Sequence, residues 1–150
     1  RPIESDRTAN QFMKTLKYIF LFVDISFIIY WLITLLHIIP SQYLYSDYQN
    51  PILVDWNWSF FPLDILVSAS GLLSLHLARK GRSSWRIFAL ISLILTSTSG
   101  LQAIAFWTLR KDFELNWWLP NLFLLIYPLF FIPRLVASSQ QRIIANVLQH

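Results

Sequence analysis

The 150-residue sequence has no cysteine, only three glycines and few charged residues. Without cysteine the chain can form neither a disulfide nor a thiolate nucleophile nor a cysteine-ligated metal site. Three glycines are too few for a glycine-rich phosphate loop or a nucleophile elbow. Charged residues make up 13% of the chain, against roughly a quarter in soluble domains, whereas hydrophobic residues make up 55%. This composition excludes a water-soluble domain and predicts an integral membrane protein.

Four stretches are long and apolar enough to cross a bilayer as helices, which takes about 20 residues. We therefore predict an all-α fold, an integral membrane four-helix bundle. The predicted spans are residues 16–39, 60–78, 87–109 and 115–137.

The chain divides into three predicted segments, with the bundle formed by residues 13–137. Residues 1–12 are polar and precede Met13, the only methionine, so we expect an N-terminal extension, either native or an added remnant. Residues 138–150 are expected to be a polar cytoplasmic tail.

The basic residues are distributed unevenly between the two ends of the predicted spans. Ten of the twelve lie before or at the start of the first span, between the second and third, or near or after the end of the fourth, and only Arg110 and Lys111 lie at the opposite end. The positive-inside rule therefore predicts that both termini are cytoplasmic. Because these residues flank spans instead of forming a basic face, we expect no nucleic-acid partner.

The long first connection, residues 41–59, is predicted to be a loop on the outer side of the membrane, and it is rich in aromatic residues. These rings indicate either an aromatic belt at the membrane interface or a loop that folds over the bundle and lines a site. They are Tyr43, Tyr45, Tyr48, Trp56 and Trp58.

Four ionisable side chains lie inside the predicted spans: Asp24 and His37 in the first, Asp64 and His76 in the second. Such groups are costly in a membrane and are functional hypotheses by default. From the helical rise, antiparallel helices place Asp24 level with His76, and Asp64 level with His37. This predicts two carboxylate–imidazole pairs, with a purely structural network as the alternative for Asp24.

Small and hydroxyl residues form stripes in the second and third spans. Ser92, Thr96, Ser99 and Ala103 share one face of the third span, which predicts close packing against the second span. A polar ligand groove is the alternative. Pro128 in the fourth span predicts a kink that favours a cavity.

The candidate ligand-binding residues combine the intramembrane polar groups with nearby aromatic rings. The aspartates are expected to anchor a cationic or hydroxyl group, and the rings to wall the cavity. No metal site and no cofactor are expected, because the chain has no pair of histidines at metal-binding spacing; catalytic residues stay unknown. The candidates are Asp24, Asp64, His76, Trp56, Trp58, Tyr127 and Asn121.

Three runs, FLFVDISFIIYW, YSDYQNPILVDWNWSFFPLDILVSASGL and WWLPNLFLLIYPLFF, carry a family resemblance. From Met13 to about Val136 the chain resembles the YvaD-like proteins, small bacterial four-span membrane proteins of unknown function. The resemblance implies a multi-pass protein of the bacterial plasma membrane. A weaker similarity to the EXPERA-type group, which includes sterol isomerases and the sigma-2 receptor, would place Asp24 and Asp64 at that group's acidic positions. The chain lacks the second-span glutamate common in that group.

Together these observations predict a non-enzymatic membrane protein that binds a lipid-like or amphipathic ligand, or a membrane partner, in an outward-opening cavity. Expected partners are the bilayer, a lipid-like small molecule, and a second copy of the chain or another membrane protein. An EXPERA-like isomerase that uses one acid as proton donor and the other as base, and a proton-coupled transporter acting as a dimer, are the alternatives.

Overall fold

The computed structural model describes residues 2–44 and 47–147, and the side chains of residues 11–44 and 47–140. Three predictions therefore fall wholly or partly outside the described residues: the place of Tyr45 in the aromatic connection, the contribution of Arg1, Arg7 and Arg142 to orientation, and the end of the tail after residue 147.

The described chain is helical, which confirms the predicted all-α class, and four of its helical segments are long and apolar enough to cross a membrane. A short 3-10 helix, Ser41–Tyr43, lies in the first connection. The α-helices are α1 (Pro2–Leu35), α2 (Pro51–Ser59), α3 (Phe61–Arg79), α4 (Trp85–Leu109) and α5 (Leu115–Val147).

The second and third predicted spans agree with α3 and α4 to within two residues at each end, whereas the outer two helices differ more. The first helix begins at Pro2, inside the predicted extension, and ends at Leu35, four residues before the predicted end of its span. The last helix continues to Val147 through Pro120, Pro128 and Pro133. The polar residues at both ends therefore continue α1 and α5 as far as the structure describes them.

Three helices end in the same two-bond cap. At the end of α1, the N–H of Ile38 bonds to the carbonyl of Ile33 (3.1 Å) and the N–H of His37 to that of Thr34 (3.4 Å). The residue that turns the chain has a positive φ in each case: 51° at His37, 67° at Gly81 and 56° at Lys111. This Schellman geometry bonds carbonyls that a helix end leaves open, and at His37 it ends α1 early.

The first connection contains a helix, so the prediction of a loop over residues 41–59 was wrong. The side chain of Asn50 accepts a hydrogen bond from the N–H of Ile52 at 3.1 Å, and Pro51 occupies the first helical position of α2. Both residues favour a helix start there. Only Phe60 separates α2 from α3.

The long helices pack in the order α1, α3, α4, α5. The predicted contact between the second and third spans is confirmed, and Ser92 Oγ donates to the carbonyl of Val67 across it at 3.2 Å. Ser68 Oγ donates to the carbonyl of Asp24 at 3.1 Å and joins α3 to α1. A Cβ atom on Gly100 would lie 2.6 Å from the backbone nitrogen of Leu125, so α4 and α5 approach closely.

The α1 and α5 helices meet near the end of the bundle that carries the chain termini, which we call the terminal end. There, the rings of Phe12 and Phe131 lie 5.3 Å apart. A buried cluster in the same half joins Leu16, Phe20 and Val23 of α1 to Tyr127 and Leu135 of α5.

The opposite end carries α2 and the turn between α4 and α5, and we call it the α2 end. An ion pair between Arg110 and Asp47 (3.4 Å) links the α4–α5 turn to the first connection. Both side chains are substantially exposed, and such pairs add little stability. The ion pair therefore shows that the two segments are neighbours, but it contributes little to the stability of the fold.

Candidate functional site

A cavity of about 570 Å³ lies between α1, α3, α4 and α5, and residues of α2 also line it. Its volume falls within the range of about 300–1,000 Å³ that is typical of small-molecule sites. Nine of its lining residues are aromatic, and they come from α1, α2, α4, α5 and Phe60, which joins α2 to α3. The cavity is therefore a largely apolar space to which every part of the bundle contributes.

The acidic group that lines this cavity is the carboxylate of Asp64, and this residue is only 4% exposed. Trp31 Nε1 donates a hydrogen bond to Oδ2 at 2.9 Å, and Ser99 Oγ donates to Oδ1 at 3.2 Å. Asp64 lies in the first turn of α3, where the partial positive charge of a helix N-terminus stabilises an acidic side chain. Three helices therefore fix the position of one carboxylate.

The other polar lining groups are uncharged amides and hydroxyls. Tyr30 Oη donates to Asn57 Oδ1 at 2.9 Å, and Asn121 Nδ2 donates to the carbonyl of Trp117 at 2.7 Å. The described lining includes no lysine, arginine, histidine or glutamate, which leaves Asp64 as its one acidic residue. The site thus offers acceptors and one acidic group, which suit a ligand that donates hydrogen bonds or carries positive charge. It also offers a donor, Asn57 Nδ2, which is buried and has no hydrogen-bond partner among the described residues.

Three residues of α2 line the cavity: Leu53, Trp56 and Asn57. The ring of Trp56 stacks on Phe106 of α4, with centroids 4.1 Å apart and planes 19° apart. Leu53 is buried. The part of the first connection that forms α2 therefore contributes to the cavity wall, while the aromatic belt and the segment folded over the bundle both stay predictions.

Three of the seven candidate residues line the cavity: Asp64, Trp56 and Asn121. Trp58 lies just outside it and packs on Trp31 with ring centroids 5.4 Å apart. Tyr127 belongs to the buried cluster of the terminal half. These residues stay candidates, but the structure brings only the first three together.

Asp24 and His76 do not line the cavity, and the predicted pair between them does not form. Asp24 is 1% exposed, and neither of its carboxylate oxygens has a hydrogen-bond partner among the described residues. It lies directly against Gly71. His76 is exposed, so equal depth did not make the two side chains face one another.

The predicted pair between Asp64 and His37 is also absent. His37 lies beyond the end of α1, is exposed, and its Nδ1 contacts the carbonyl of Leu35 at 3.1 Å. Trp31 and Ser99 hold Asp64 instead. Among the described residues, no three histidine, aspartate or glutamate side chains are grouped closely enough to hold a metal ion.

Sequence reasoning missed the residues that hold Asp64 in place. Trp31 lies seven residues after Asp24, two turns along the same helix, and Ser99 was predicted to pack against the second span or to line a polar groove, not to bond to Asp64. A buried carboxylate needs hydrogen-bond donors, so the indole N–H of Trp31 could have been proposed as one. Asn57, inside a segment predicted as loop, gave no comparable signal.

The family model described as "Family of unknown function (DUF5360)" matches residues 16–142. The chain is 51% identical over 129 residues to the "Uncharacterized protein YvaD" of Bacillus subtilis (strain 168), and the match covers 86% of this chain and 97% of that protein. No solved structure matches the chain. These matches confirm the resemblance to YvaD-like proteins; neither concerns the EXPERA-type group, so that similarity stays an expectation. The chain therefore belongs to the Family of unknown function (DUF5360).

Proposed function

We propose that this protein crosses the bacterial plasma membrane four times, with both termini in the cytoplasm, and binds an amphipathic, lipid-like ligand in the cavity that Asp64 lines. Four apolar helices of sufficient length support the membrane placement. The excess of basic residues around the terminal end supports the orientation.

The observation that carries the ligand proposal is a single carboxylate at the edge of a cavity lined mainly by aromatic and aliphatic side chains. No cationic lining residue neutralises Asp64 among those described, so the compensating group is left to the ligand. An ammonium or hydroxyl head group would donate to its oxygens, since each oxygen has a second lone pair beyond the bond it already accepts. A carboxylate or phosphate head group would meet like charge and is disfavoured.

The walls of the cavity fit the remainder of such a ligand. Phe27, Leu53, Ala103 and Leu124 offer apolar contact along its length, and burial of an alkyl chain is favourable by about 0.8 kcal/mol per methylene. The indole of Trp31 lies beside Asp64 through its hydrogen bond, and aromatic faces attract cations. Of the two intramembrane acids, only Asp64 lines the cavity, so we propose binding in preference to isomerisation by two acids.

Native mass spectrometry of the protein in mild detergent tests this function with oleylamine and oleic acid as probes. The wild-type protein is expected to retain one oleylamine and little oleic acid. Ala103→Phe fills the cavity and is expected to abolish retention of oleylamine. Ala105→Phe, the same change at an exposed position two residues away that does not line the cavity, is the matched control and should retain it. Equal retention by both variants, or none by the wild type, would contradict the proposal.

A further inference from the structure

The α2 helix lines the cavity near the α2 end of the bundle. Trp56 holds α2 to α4 through its stack on Phe106, and Asn57 holds it to α1 through the hydrogen bond from Tyr30. Because α2 is attached to both of these helices, a route into the cavity is to be sought between helices that no such contact joins.

The side of the bundle between α1 and α5 offers such a route. These helices pack together in the terminal half, but nearer the α2 end the cavity lies between them. Phe22 and Phe123 line the cavity and yet are 67% and 43% exposed. Ser26 also lines it and is exposed. Side chains that both line a cavity and remain exposed mark its rim, so the cavity opens sideways at these three residues. Asn116 and Pro120 of α5 line the cavity and are exposed as well, so the opening continues along α5 toward the α2 end.

The rim lies at the depth of the bilayer if the helices span it. Phe22 and Ser26 belong to the candidate span Gln11–Leu35, and Phe123 belongs to Leu115–Gln140. All three side chains are uncharged. Hydrocarbon chains, and not water, surround a membrane protein at this depth, so the molecules that face the opening are the chains of lipids.

We propose that the ligand enters laterally from the bilayer, between α1 and α5, as a lipid with a free hydrocarbon chain and an ammonium or hydroxyl head group. Trp31, which binds Asp64, lies five residues beyond Ser26 on α1, or about 7.5 Å along the helix axis. A head group at Asp64 is therefore nearer the α2 end than a chain that passes the rim. This order matches that of head group and chain in a bilayer leaflet, so the lipid need not turn over to enter.

This inference rests on the proposed binding function, and photo-crosslinking tests it on the reconstituted protein. The probe is oleylamine with a diazirine at mid-chain, in phosphatidylcholine vesicles, with unlabelled oleylamine as competitor. Competed adducts are expected at Phe22, Ser26 and Phe123. Ser26→Phe narrows the rim and is expected to lose the competed adducts. Thr98→Phe, a similar change at an exposed position on α4 away from the cavity, is expected to retain them.

The outcomes separate the two proposals. Competed adducts at Asn116 and Trp117, in the first turn of α5 at the α2 end, with none at Phe22, Ser26 or Phe123, would overturn lateral entry at bilayer depth and leave the binding function standing. Unchanged competed adducts in Ser26→Phe would do the same. If unlabelled oleylamine removes no adduct at any position of the wild-type protein, both the binding function and lateral entry are contradicted.

Discussion

The two aspartates inside the predicted spans, Asp24 and Asp64, differ in the contacts that their side chains make. Both aspartates are almost fully buried, but Asp64 accepts hydrogen bonds from Trp31 and Ser99, whereas Asp24 has no side-chain partner among the described residues. Its carboxylate fits against Gly71, which leaves no room for a methyl group there. In the described bundle, Asp24 is thus held by close packing and Asp64 by hydrogen bonds.

The contact between Asp24 and Gly71 predicts a coupled effect on stability. Gly71→Ala should destabilise the protein by about 1–3 kcal/mol, because overpacking forces buried atoms to shift. In an Asp24→Ala background most of this cost should disappear, since the obstructing carboxylate is gone. Thermal unfolding in detergent of the wild type, both single variants and the double variant measures the coupling.

Gly100→Ala is the control for this cycle. Its added Cβ would meet the backbone of α5, 2.6 Å from the Leu125 nitrogen and 2.7 Å from the Asn121 oxygen, so its cost should be equal with and without Asp24. A cost of Gly71→Ala that is equally independent of Asp24 would show that the contact is not the cause.

At the scale of the helices, the sequence predicted the central elements well and the outer ones less well. The α3 and α4 helices have clear ends, and their predicted spans differ from the observed helices by two residues at most. The end of α1 was missed because a histidine, not a glycine, takes the positive φ of its cap. Hydrophobicity continued to Ile39 and therefore concealed the helix end.

The sequence analysis predicted no helix at α2, although the sequence contains a favourable start for one. Asn50 followed by Pro51 is a favourable pair for a helix N-terminus, but the position of the segment between two spans and its many aromatic residues favour a loop. The helix matters for the proposed function because three of its residues line the cavity. Its rings could have been assigned to a packed element only once the helix was recognised.

At the scale of the whole molecule, the sequence predicted the depth of each polar side chain along the bundle axis. It did not predict which neighbouring helix that side chain faces. Counting residues along helices gives height, but the pairs Asp24–His76 and Asp64–His37 failed because rotation about each helix axis decides which side chains meet. That rotation follows from packing, such as the closeness of α3 to α4 and of α4 to α5. Sequence reasoning therefore named three lining residues, Asp64, Trp56 and Asn121, without the partners that hold Asp64.

The proposed orientation is also a property of the whole molecule and can be tested directly, since the chain has no cysteine of its own. Single cysteines at Ser83 and Gln42, both exposed, lie at the terminal end and the α2 end. A membrane-impermeant maleimide should label Gln42→Cys in intact spheroplasts, and Ser83→Cys only in inverted vesicles. Labelling of Ser83→Cys in intact spheroplasts would contradict the orientation.

The measurement that tests the central claim most directly is the affinity of the Asp64→Asn variant for oleylamine, compared with that of the wild type. Asparagine keeps the shape of the side chain and can still bond to Trp31 and Ser99, so the fold should persist. A hydrogen bond between charged groups contributes about 1.5–3 kcal/mol, so the affinity for oleylamine should fall about tenfold or more. Affinity for uncharged oleyl alcohol should change much less. An unchanged affinity for oleylamine in the folded variant would show that Asp64 does not hold the head group, and would contradict the account.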